Sequence, residues 1–146
     1  MMIEILCGPM DESPFTDEIS FVCSLFQTIG ANLVSVMYGL ACAEERLWER
    51  LKLPPLDLLA FIERSIDVGI YVPAKSDLFI TGSDQLTVLL CHEADIHVTT
   101  GSPAIIGRCA SRWLLQNQRL LRSDEVPAAR NSWREIRTLE EATAGL

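Results

Sequence analysis

Apolar positions along this chain follow two rhythms. Short runs rich in β-branched residues, Ile3–Cys7, Leu33–Tyr38, Val68–Val72 and Ile96–Thr100, each stop at a glycine or proline. Between them, apolar residues recur every three or four positions: Ile19, Val22, Phe26 and Ile29, then Leu58, Leu59, Ile62 and Ile66, then Ile106, Cys109, Ala110, Trp113 and Leu120. The first rhythm is that of buried strands and the second that of amphipathic helices. Their alternation predicts an α/β fold, a mostly parallel sheet of four or five strands with helices on both faces, flavodoxin-like in architecture. Ile3–Cys7 is apolar enough to be a central strand covered on both sides.

Punctuation sets the element ends. Ser13-Pro14 suits a helix start and Gly30 its stop. A short helix is expected over residues 44–51, and Pro54-Pro55 opens the next, Leu56–Ile66. Leu78–Thr81 reads as a small edge strand or a loop plug, and Ser83 as the cap of a helix carrying Leu86, Leu89 and Leu90. Gly101-Ser102-Pro103 turns the chain into the longest predicted helix, Ala104–Leu121, with Ser102 as its cap. Residues 122–132 read as a loop, Trp133–Arg137 as a fifth strand at the sheet edge, and Thr138-Leu139-Glu140-Glu141 as a capping box. The 146 residues suffice for a single domain with a full core.

Composition narrows the setting. The chain is 49% hydrophobic, with a mean hydropathy of +0.22, which predicts apolar surface shared between copies in a homo-oligomer. No apolar run approaches the ~18–20 residues that span a bilayer. The acidic start and the five scattered cysteines, Cys7, Cys23, Cys42, Cys91 and Cys109, without a C-x-x-C pair, fit a reducing cytoplasm. A net charge of −8 argues against nucleic acid or an anionic membrane as partner. The charge is uneven, with 5 basic against 15 acidic groups in residues 1–100 and 7 against 5 thereafter.

In a parallel sheet the loops after the strands gather at one edge, where ligands bind. Candidate chemistry therefore sits at strand ends. Cys7 closes the first strand. Cys42 follows the second and precedes a helix, whose dipole favours a thiolate that can act as nucleophile or sulfur acceptor. Gly8, Tyr38 and Gly39 share those loops. Thr99-Thr100-Gly101-Ser102 joins a strand end to a helix start, where amides and hydroxyls can hold an anion; it lacks the full phosphate-loop and dinucleotide motifs, and a plain turn and cap is the competing reading. Cys91, His92, Glu93, Asp95 and His97 lie close in sequence but without zinc spacing, so no metal site is expected. No cofactor is implied. Arg108, Arg112, Arg119 and Arg122 are expected to place much of their charge on one helix face.

Two stretches carry a resemblance. "LDLLAFIERSIDVGIYVP" (residues 56–73) is similar to a helix followed by a strand in DsrE/DsrF-like sulfur-relay proteins, and "IIGRCASRWLLQNQRLL" (residues 105–121) resembles their late helix. The return over Phe15–Leu40 looks like their opening. The resemblance implies a flavodoxin-like sheet, assembly into trimers or hexamers, and in some members a sulfur-accepting cysteine just after the third strand. Here that place holds Val72-Pro73-Ala74. No catalytic role carries over, and Cys42 and Cys7 stand on local physics alone. The expected function is an oligomeric, cytoplasmic domain that binds a protein partner or small ligand, linked to sulfur transfer or without catalysis. A nucleotide or phosphate binder using Thr99–Ser102 and a structural subunit of a larger complex are the alternatives.

Overall fold

The computed structural model describes residues 1–39 and 51–146. In chain order its elements are β1 (Ile3–Cys7), α1 (Glu12–Thr28), β2 (Val34–Gly39), β3 (Leu51–Leu53), a 3-10 turn at Pro55–Asp57, α2 (Leu58–Asp67), β4 (Asp77–Gly82), β5 (Leu86–Leu90), β6 (Ile96–Thr100), α3 (Pro103–Leu115), β7 (Leu120–Ser123), β8 (Arg134–Ile136) and α4 (Leu139–Thr143). The short helix expected over residues 44–51 lies outside the described residues apart from Leu51, which opens β3.

The strands form one eight-stranded sheet, β3-β2-β4-β5-β6-β1-β7-β8, and every neighbouring pair is antiparallel. The expected parallel, flavodoxin-like sheet of four or five strands is overturned. The cause lies between Leu78 and Thr100. Leu78, Ile80, Leu86, Val88, Leu90, Ile96 and Val98 are fully buried, while Phe79, Thr81, Thr87, Leu89, His97 and Thr99 between them are partly open. That is strand alternation. Ser83 (φ +54) and Ala94 (φ +64) take left-handed conformations in the two turns, so the chain doubles back twice. Short turns can join only antiparallel neighbours, because a parallel pair needs a long crossover. Leu86, Leu89 and Leu90 also fit helical spacing, but they belong to β5, and Ser83 is a hairpin residue rather than a helix cap.

Val68–Val72 is not a strand. Gly69 (φ +76) breaks the chain just after α2. The N–H groups of Ile70 and Tyr71 both donate to the Ser65 carbonyl, so this run closes a helix instead of extending a sheet. Val68, Ile70 and Val72 are exposed and Tyr71 is buried. Helix α3 ends six residues before Leu121. Asn117 (φ +56) stops it, with Asn117 N–H donating to Leu114 O and Gln118 N–H to Trp113 O. This is a Schellman stop with asparagine in the place of glycine. The freed residues become β7, so Arg122 and Ser123 lie in the sheet and not in the expected loop. β8 sits at the sheet edge, and Thr138 caps α4 by accepting from Glu141 N–H, as the sequence indicated.

The helices share one face of the sheet, not both as expected. A Cβ on Gly82 would meet Phe26 of α1 and its C-cap Ile29, the Tyr38 hydroxyl bonds Ser65 of α2, Cys7 is buried in one cluster with Cys109 of α3, and Arg122 reaches carbonyls of α4. Each of these sheet residues has the same phase as Ile3 and Ile5. The core lies in this single layer, with Phe15, Leu25, Phe26, Tyr71 and Trp113 among its largest members. Among the described residues, no helix is long and apolar enough to cross a membrane.

Candidate functional site

The antiparallel order sends successive strand ends to opposite edges. Cys7 pairs with Ile96, Gly39 with Asp77, and Leu78 with Leu90, so the ends of β1, β2 and β5 and the starts of β4 and β6 share one edge. Thr100 pairs with Ile3 at the other edge. The expected ligand residues therefore do not meet. Gly8, Tyr38 and Gly39 stand at the first edge and Thr99, Thr100, Gly101 and Ser102 at the second, about 17 Å away along five-residue strands. The hydroxyls of the second group serve the backbone. Thr100 Oγ1 donates to Gln85 O (2.6 Å) and accepts from Ser102 N–H, and Ser102 Oγ accepts from Ile105 N–H (3.3 Å). Asp84 lines the cavity beside them, which disfavours an anion there.

At the first edge, Gly8 (φ +113) lets β1 pass close under the β5–β6 turn; a Cβ there would lie 3.0 Å from the Ala94 carbonyl oxygen. Met10 N–H donates to that same oxygen (2.9 Å). Tyr38 is buried, its ring near Phe61 and Tyr71. Cys7 is fully buried, and burial, reinforced by the negative field of Glu18, raises its thiol pKa well above the ordinary value. Cys23 and Cys109 are buried too, and desolvation pushes each up to about 12. These three thiols are neutral core groups near neutral pH. Cys42 lies outside the described residues.

Chemistry concentrates instead around the β5–β6 turn, with His92 in the turn and His97 near the start of β6. Cys91 N–H donates to Asp95 O (2.9 Å) and Ala94 N–H to Cys91 O (3.1 Å), which folds the turn so that Cys91, His92, Asp95 and His97 crowd its base. The Asp77 carboxylate enters from the start of β4. Its Oδ1 accepts from the His92 backbone N–H (2.8 Å) and lies 3.0 Å from His92 Nδ1. Cys91 Sγ lies 3.7 Å from the same Nδ1. A nucleophilic relay needs thiol and carboxylate on opposite ring nitrogens. Here Asp77 and Cys91 both approach Nδ1, while Glu93 Oε1 lies 3.9 Å from Nε2.

His97 shows the reverse arrangement. Its Nδ1 lies 2.8 Å from Glu4 Oε1 and its Nε2 3.0 Å from Asp95 Oδ1. Burial alone would lower its pKa, but the hydrogen bonds and charges of Asp95 and Glu4 outweigh it and raise the pKa to about 9. The ring is an imidazolium at neutral pH, donating from both nitrogens, with the Trp133 ring edge-on at 6.3 Å. Sequence spacing does not tie Asp77 to this cluster, since it stands 14 positions before Cys91. Glu4 is still further away. Only the strand pairing brings them in.

The arginines divide. Arg108 and Arg112 lie over the Phe21 ring at 5.7 and 4.8 Å from its centre, whereas Arg122 is buried in β7. Residues 56–73 form α2 with its closing turn, and residues 105–121 form most of α3 and the start of β7. Compared with known proteins, the chain matches no family model, and no curated protein or solved structure matches it.

The face of the sheet opposite the helices is ordered in two rows. One row runs Ser35, Thr81, Thr87, Thr99, Glu4, Ser123 across six strands. The row beside it runs Met37, Phe79, Leu89, His97, Leu6, Leu121. Glu4 and His97, from adjacent rows, are paired with each other, and Lys52 and Glu135 stand at the two ends of the face.

Proposed function

We propose that this chain is a binding domain that works as a homo-oligomer, with the open face of its sheet as the contact between copies. The observation that carries this reading is the row Met37–Phe79–Leu89–His97–Leu6–Leu121, apolar except for His97 and lying beside a row of hydroxyls, on a chain of net charge −8. An equally acidic copy is tolerated best where charge is least, and on this face the His97 charge offsets that of Glu4. Eight strands of three to six residues give a geometric area of roughly 600 Å², part of it covered where Ser132 bonds Ser123 and Trp133 stands beside His97, against the ~800 Å² a stable dimer buries on each partner. The ends of the face also complement each other. Lys52 pairs with Ser35 at one end and Glu135 with Leu121 at the other. A two-fold axis along the strands sets Lys52 of each copy toward Glu135 of the other. Cys7, Cys23 and Cys109 are free thiols, which supports a reducing compartment such as the cytoplasm for this assembly.

Sedimentation of the full chain at micromolar concentration tests the reading. The expected mass is that of a dimer or a higher closed assembly, with Leu89→Glu and the milder, strand-compatible Phe79→Thr shifting it to monomer while the circular dichroism stays native. A wild-type monomer, or an oligomer that both variants leave intact, overturns it.

A further inference from the structure

We propose that Asp77, Cys91 and His92 form a tetrahedral binding site for a borderline-soft divalent cation of the zinc type. Their ligating atoms, a carboxylate oxygen, a thiol sulfur and an imidazole nitrogen, all lie within 4.8 Å of one another. This donor set suits zinc and its neighbours, since thiolate and imidazole select against magnesium and calcium. The edges fit. Zn–S near 2.3 Å with Zn–N and Zn–O near 2.0 Å give tetrahedral S–N and N–O edges of about 3.5 and 3.3 Å. The Cys91 Sγ–His92 Nδ1 and His92 Nδ1–Asp77 Oδ1 separations are 3.7 and 3.0 Å. The donors converge on Nδ1, so a cation can take the place of the proton they share.

The surroundings support this placement. The Cys91 and Asp77 side chains are fully buried, while His92 is 28% exposed and leaves a path to solvent. Glu93 N–H lies 3.5 Å from Cys91 Sγ as a donor to the sulfur, an outer contact of the type that steadies thiolate ligands. Tyr71 is fully buried, feels the fields of Asp77 and Cys91, and its hydroxyl finds no hydrogen-bond partner among the described residues. A water held on the fourth position of the cation is the kind of partner such a hydroxyl needs. A second group, Cys91, Asp95 and His97, also lies within 4.8 Å, but both His97 nitrogens already donate to carboxylates and leave no lone pair for a cation.

The test is titration of the chelator-stripped full chain with Co²⁺, reading the thiolate-to-cobalt charge-transfer absorption and the ligand-field bands of tetrahedral Co²⁺. The expected result is saturation at one equivalent, with Zn²⁺ displacing the cobalt. Cys91→Ser should abolish the charge-transfer band. His92→Gln and Asp77→Asn should weaken binding by at least about tenfold, the lower limit seen even for outer partners of metal ligands. His97→Gln should leave the spectrum unchanged, and circular dichroism should show each variant folded. Absence of the band in the wild type, its survival in folded Cys91→Ser, or its loss in His97→Gln with His92→Gln unaffected overturns the site.

Discussion

Arg112 grips Glu18 with two nitrogens, Nε at 2.8 and 3.1 Å from the two carboxylate oxygens and Nη2 at 2.7 Å, and so ties α3 to α1. The indole of the adjacent Trp113 donates to the same carboxylate. Glu18 is only 2% exposed. Burial pushes its pKa up, but the hydrogen bonds and charge of Arg112 and the indole bond outweigh burial and hold it below the ordinary glutamate value.

The expected consequence is a stability contribution present above the glutamate pKa of the unfolded chain. It is lost as pH falls through the lowered folded value. Breaking a fully buried pair costs ~3–5 kcal/mol, but the Arg112 side chain is 38% exposed and regains water, so Glu18→Ala should cost about 2 kcal/mol at pH 7. Urea unfolding at pH 7 and pH 3 checks this. The difference between wild type and Glu18→Ala should shrink at the lower pH, and an equal difference at both would contradict the account.

His97 predicts the opposite limb. Its folded pKa of about 9 lies above the ordinary histidine value, so its stabilisation is full below about pH 6.5 and is lost as pH rises through 9. The His97 ring protons should titrate near pH 9 by NMR. The thermal midpoint should fall across that window in the wild type and stay flat in His97→Gln. A ring titrating near 6.5 would show that Glu4 and Asp95 do not hold the charge.

Strand positions were more legible than strand partners. Ile3–Cys7 and Ile96–Thr100 have the bounds their residues suggested, because compact β-branched runs between turn residues admit few other readings. The same runs carry no record of direction. Leu86–Leu90 is ambiguous because its apolar positions include 86, 89 and 90 at helical spacing and 86, 88 and 90 at strand spacing. Only the Ser83 turn, whose left-handed backbone is unusual for serine, decides the matter. Val68–Val72 misled for a different reason. Its composition is that of a strand, but Gly69 allows the Ser65 carbonyl to capture its amides. At the site, Cys91, His92 and His97 were visible as a local cluster. The hairpin that overrides strand alternation, and the distant Asp77 and Glu4, depend on the pairing and were not.

Gly82 is held to glycine by space. A Cβ there would lie 2.7 Å from Phe26 Cδ1 and 2.9 Å from Ile29 Cδ1. Phe26 is fully buried and cannot swing away. Gly82→Ala should therefore overpack the α1–β4 contact and destabilise by about 2 kcal/mol. Adding Phe26→Leu, which removes ring atoms at that point, should give a double variant less destabilised than the sum of the two singles. Strict additivity in chemical denaturation would show that the ring is not the obstacle.

Arg122 anchors the end of the chain from inside the sheet. It is 1% exposed, and its guanidinium donates to the carbonyls of Ala142 (2.7 Å), Ala144 (2.7 Å) and Glu141 (3.2 Å), while Nε reaches Asp124 Oδ1 at 2.7 Å. A five-residue helix such as α4 cannot persist alone, and its last carbonyls have no partners within the helix. The planar fork of Arg122 supplies them. Arg122→Leu should destabilise by about 3 kcal/mol, since it strips several charge-assisted bonds from buried carbonyls. Arg122→Lys should restore little of this, because a single ammonium on a flexible stem cannot span the same set. Hydrogen exchange gives the specific readout. Amide protection at Ala142 should fall in both variants well before that of β5 or β6. Equal loss across the sheet would mean that Arg122 supports the whole core and not the docking of α4.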